Sequence, residues 1–104
     1  MQNDTTYHQI VDGLFEHIMT NIDDSELELD YECSGNVLTL FCIDNSQIVI
    51  NKQEAFHQVW LAAKNGGYHF SYQDDHWIDD NNNTLLKTIS QAVLAQGGEL
   101  LTFQ

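Results

Sequence analysis

The chain has 104 residues, a formal net charge of -13 and three basic residues in all, Lys52, Lys64 and Lys87. That length suits one domain, 1–104, whose core needs neither disulfide nor metal. The charge argues against nucleic acid and anionic membrane surfaces as partners, since both are bound through Lys and Arg, and favours cations and basic protein surfaces.

The opening residues, MQNDTTYHQI, carry neither the basic nor the apolar region of a leader, and no segment approaches the roughly 20 apolar residues of a membrane span. A soluble, cytoplasmic protein is the expectation. Cys33 and Cys42 are too few for a disulfide framework or a four-thiolate zinc site, and both lie in apolar strand patterns. Both are expected as buried free thiols.

From Asn3 or Asp4 onward, Tyr7, Ile10, Val11, Leu14, Phe15, Ile18 and Ile22 recur at spacings of three and four, which predicts an amphipathic helix. Its other side carries His8, Asp12 and Glu16 at steps of four, a stripe running toward Asp23 and Asp24. The period then changes to two. Leu27, Leu29, Tyr31 and Cys33 alternate with Glu26, Glu28, Asp30 and Glu32, predicting a half-buried strand whose outer face is all carboxylate.

SGNV reads as a turn into the strand LTLFCI, and DNS as a turn into QIVIN. HQVWLAA is a fourth strand, turned by KNGG into YHFSY and by QDD into the short HWID. DNNN offers an Asn cap to a second helix with Leu85, Leu86, Ile89, Ala92, Val93 and Gln96 inward, and QGG stops it. Helix, antiparallel meander, helix defines an α+β fold: a two-layer sandwich with both helices on one face of the sheet. The other face is left to solvent. Val59 and Leu61 suit the helix side, so Gln58, Trp60 and Ala62 take the open side.

A run such as DDSELELDYE is most often a solvated face. Here, however, the helix stripe ends where the strand stripe begins, and no basic residue of the first half is available to neutralise the combined patch. Oxygen-only ligands suit hard cations, which leaves iron, calcium, magnesium and manganese open. Carboxylates strung along a surface bind such ions weakly and in overlapping places. His8 is either a ligand or an ion-pair partner of Asp12. His17, His57, His69 and His76 read as structural, and Trp77 as core. A Trp at position 60 with Asn51, Gln53 and Gln58 around it, on a bare sheet face, reads as an interface centre. No Cys-His pair, phosphate loop or nucleophile elbow is present, so catalysis is not expected.

The segment INKQEAFHQVWLAAKNGGYHFSY followed by HWID resembles the signature of the frataxins, most closely their bacterial branch, with NKQ, QVWL and GGYHF in family order and spacing. The likeness covers essentially the whole chain. It implies a frataxin-like fold and a non-enzymatic, iron-binding protein of iron-sulfur cluster assembly. Such a protein would be an iron-responsive regulator or adaptor that docks on the cysteine desulfurase and the scaffold machinery. Iron, as Fe2+ or Fe3+, would be held weakly and transiently, with other divalent cations able to substitute. The alternative is an iron-storage or ferroxidase protein using the acidic ridge for oxidation or mineral nucleation.

The resemblance places metal ligands at His8, Asp12, Glu16, Asp23, Asp24, Glu26, Glu28, Asp30 and Glu32, and partner contacts at Glu26, Glu28, Asp30, Glu32, Asn51, Gln53, Gln58 and Trp60. It implies a monomer, with iron-dependent oligomers open. The chain departs from the family at Met19 and Thr20, where bacterial members often carry acids, and in a shorter loop before the first strand. A cation site there is expected to be weaker or shifted toward Asp23, Asp24 and Glu26.

Overall fold

The computed structural model describes residues 3–104. Helix α1 spans Asp4–Asp24. Asn3 caps it, its side chain accepting the Thr6 N–H at 2.8 Å, and Ser25 closes it by donating its hydroxyl to the Ile22 carbonyl at 2.6 Å. Tyr7, Val11, Phe15, Ile18 and Ile22 are buried, with Ile10 and Leu14 packed at the margin, which is the stripe expected from the spacing.

Six strands follow as an antiparallel meander in the order β1 to β6: Asp30–Ser34, Val37–Phe41, Gln47–Gln53, Gln58–Ala63, Gly66–Gln73 and His76–Ile78. A 3-10 turn, Glu54–Phe56, joins β3 to β4. Asp74 and Asp75 between β5 and β6 take φ of 50° and 66°, the pair of left-handed conformations that a two-residue hairpin requires, and Asp is among the residues that tolerate it. Helix α2, Leu85–Gly97, ends at Gly98 with φ of 67°.

Leu38, Leu40, Ile48, Ile50, Val59, Leu61 and Phe70 are at most 1% exposed between the sheet and the helices. Each such side chain contributes about 1.5–3 kcal/mol on burial, a sum large enough to carry a repulsive acidic surface elsewhere. Trp77, 6% exposed, joins this core as expected. The tail adds Leu101, and Phe103 stacks on His17 with ring centroids 6.2 Å apart.

Three expectations are corrected. The first strand begins at Asp30: Glu26 to Leu29 run unpaired, because β2 stops at Phe41 and the chain turns at Cys42, so Asp30 is the last residue with a partner. Leu29 is buried regardless, which is why the alternation reads as strand. Cys42 is buried, whereas Cys33 is exposed, since it sits one residue from the hairpin tip. The cap of α2 is Thr84, whose hydroxyl accepts the Lys87 N–H at 3.2 Å. Its rivals are withdrawn by Asp79, which accepts the N–H groups of Asn81 and Asn83, both at 2.9 Å, in the preceding turn.

Candidate functional site

The strand register sorts the acids between two surfaces. Glu32 lies opposite Thr39, Thr39 opposite Val49 and Val49 opposite Ala62. The neighbouring row runs Ser34, Val37, Asn51, Trp60, His69. Asp30 and Glu32 therefore share the open sheet face with Asn51, Gln53, Gln58 and Trp60. At about 4.8 Å per strand, β1 stands roughly 14 Å from the Trp60 strand. Half-buried Val37, Phe41 and Val49 floor the space between, beside a shallow concavity of about 380 Å³ lined by Val37, Asn51, Trp60 and His69.

Trp60 is half-buried rather than free. Phe56, which is 64% exposed, stacks on it at 6.0 Å. His69 stacks at 4.0 Å, within 8° of parallel. The indole N–H donates to Gln58 Oε1 at 2.8 Å, and Gln58 Nε2 donates to Ser71 at 3.2 Å. The side chain is thus held in one orientation. The sequence does not single out Phe56, and His69 reads there only as structural; their places before and after QVWL reveal the stack only with the cross-strand register in hand.

The helix stripe is not the free carboxylate row that the spacing implied. Lys52, from the helix-facing side of β3 and with a side chain only 6% exposed, donates to Asp12 Oδ1 at 2.6 Å and to His8 Nδ1 at 3.1 Å. His8 Nε2 donates in turn to Glu54. With the proton assigned to Nε2 by these partners, both ring nitrogens of His8 are engaged. The expectation that no basic residue balances the first half fails here, because the β3 lysine crosses to the helix. His57, similarly, is held by Asp4 at 2.8 Å and stacks on Tyr7 at 5.1 Å. Lys64 pairs with Asp44 at 2.7 Å, and that ammonium, helped by Ser46, draws the Asp44 carboxyl down to about 2.

A second group of acids, at the far end of α1 and along the edge strand, lacks such partners. Glu16, Asp23, Asp24, Glu26, Glu28, Asp30 and Glu32 are all exposed, and none is in an ion pair among the described residues. Two ties hold this region. Tyr31 donates its hydroxyl to Asp23, a bond that lifts the phenol above its ordinary value, and Glu28 donates its N–H to Glu99 at 2.9 Å. Among the described residues no three His, Cys, Asp or Glu side chains converge enough to hold a metal ion. A cation here would take one or two carboxylates and complete its shell with water, the habit of hard ions on exposed oxygen ligands.

A meander covered on one face by two helices, with an acidic edge and a stacked tryptophan on the other, defines an α+β sandwich. The Frataxin-like domain model matches residues 1–99, and the chain belongs to that family. The "Iron-sulfur cluster assembly protein CyaY" of Vibrio parahaemolyticus is 53% identical over 98 residues, covering 93% of this chain and 94% of the relative. The protein of that name from Shewanella sp. strain ANA-3 is 42% identical over 105 residues, covering 96% of each chain. The solved frataxin of Psychromonas ingrahamii superposes with a TM-score of 0.94 at 35% identity, covering 99% of each chain. No helix among the described residues is long and apolar enough to cross a membrane.

Proposed function

We propose that this protein acts in cytoplasmic iron-sulfur cluster assembly as a non-enzymatic, iron-responsive regulator. It docks on the cysteine desulfurase, and through it on the scaffold machinery, by its acidic edge and the Trp60 face. The observation that carries the reading is the sharing of one open sheet face by Asp30, Glu32 and the stacked Trp60. A basic patch meets the carboxylates while an apolar or aromatic group meets the indole, and their separation sets the register of the complex. The names of the relatives support the pathway.

Iron is cargo and signal in this reading. The free acids from Glu16 to Glu32 capture Fe2+ or Fe3+ weakly, and other hard divalent cations compete for the same oxygens. His8 and Asp12 contribute less than the spacing implied, because Lys52 already satisfies them. Bound iron reduces the negative field that steers the basic partner, which couples iron level to docking. The chain works as a monomer, and cation bridging of two acidic edges gives the iron-dependent oligomer.

The test is anaerobic iron(II) titration followed by backbone NMR. Perturbed amides clustered between Glu16 and Glu32, with those of His8 and Asp12 less affected, are the expected result. Perturbations scattered over the surface would overturn the site. Admitting oxygen separates the ferroxidase alternative, for which oxidation must run faster than in buffer.

A further inference from the structure

The two edges of the sheet differ. The β6 edge is short, and Thr84 bridges to Ile78 to cover it. Among the described residues the β1 edge has no such bridge. Its five residues pair one-to-one with β2 without a bulge, and the chain contains no proline to interrupt an incoming strand. Ser34 and Val37 flank a two-residue turn and therefore form a hydrogen-bonded pair, so the alternation of an antiparallel ladder turns the N–H and C=O groups of Tyr31 and Cys33 outward. Among the described residues no hydrogen bond from beyond the sheet reaches the main chain of either.

An open ladder of this kind normally invites self-pairing unless charge prevents it. Here Asp30 and Glu32 flank the outward groups on one face, with Glu26 and Glu28 just upstream and Asp23 behind Tyr31. A second copy approaching edge to edge would bring the same carboxylates together. An extended segment with Lys or Arg at alternate positions would instead place its cations beside Asp30 and Glu32, while its intervening residues pack beside Tyr31 and Cys33.

We propose that β1 accepts an extended basic segment of the partner as a seventh strand, bonded through the main chain of Tyr31 and Cys33. This rests on the docking reading above and specifies its mode. Ion pairs set the sign of the occupant, and main-chain bonds fix its direction and register.

The test uses a capped peptide with alternating Lys and Val or Thr, and two isomers of it with identical composition and charge. In one the Lys amides are N-methylated; in the other, the intervening amides. Strand addition predicts that one isomer binds like the parent peptide and the other at least about tenfold more weakly, having lost the bonds to the edge. It also predicts slowed amide exchange at Tyr31 and Cys33 on binding the parent peptide. Equal binding of all three, or equal loss in both isomers, overturns strand addition. The docking reading is tested separately with the Asp30→Asn, Glu32→Gln variant and the unmethylated peptide: unchanged affinity there contradicts the charge argument itself, whichever isomer binds.

Discussion

Lys52 and Asp12 stand 40 residues apart in sequence and 2.6 Å apart in the structure, and their pairing divides the acidic residues into two classes. Asp12 is balanced by a cation that is almost fully buried. The acids from Asp23 to Glu32 have no ion-pair partner among the described residues.

Opposite effects on stability follow. Asp12→Asn removes the partner of a lysine side chain that is 6% exposed and should destabilise by about 1 kcal/mol or more. Neutralising Glu26, Glu28, Asp30 and Glu32 together relieves repulsion and should raise the melting temperature by a few degrees, as should millimolar divalent cation or simple salt. Thermal melts at low salt decide it. Ridge-neutral variants that melt below the parent would contradict the repulsion account.

The Tyr31 phenol should titrate above 10.0, because its hydroxyl donates to the Asp23 carboxylate. A raised folded value means that the bond's contribution is complete below the ordinary phenol pKa and disappears as pH rises through the shifted one. Absorbance titration near 295 nm should show the shift, and Asp23→Asn should return the phenol toward its ordinary value, read as the difference between the parent and variant curves, to which Tyr7 and Tyr72, both also raised, contribute equally.

The two thiols should differ in reactivity. Cys33 is exposed, while Cys42 is buried and its thiol is pushed up by desolvation. A disulfide reagent at neutral pH should modify one equivalent rapidly and the second only on the timescale of unfolding. Cys33→Ser should remove the fast phase alone.

Trp60 should report its own orientation. His69→Ala or Phe56→Ala removes one stacking partner of the indole and should red-shift its emission. Since both rings lie on the solvent side of the sheet, stability should change by about 1 kcal/mol or less. Emission is best read in a Trp77→Phe background, with a parent spectrum unchanged by either substitution counting against the stack.

Much of the architecture was legible because periodicity and burial are the same fact seen twice. Tyr7 to Ile22 carried α1, and the parity of Val59 and Leu61 assigned Trp60 to the open face. What was missed depended on distant partners. The spacing of His8, Asp12 and Glu16 could not show Lys52 arriving from β3. Alternation through Leu27 and Leu29 could not show that β2 ends before reaching them. Nor could three Asn residues reveal that Asp79 claims their amides and leaves capping to Thr84.

The central claim is that the unbalanced acids are kept for a basic partner, and binding to the purified cysteine desulfurase measures it most directly. At low ionic strength the Glu26→Gln, Glu28→Gln, Asp30→Asn, Glu32→Gln variant should lose affinity by at least about a hundredfold while retaining the parent's circular dichroism and an equal or higher melting temperature. Undiminished affinity in that folded variant would contradict the account.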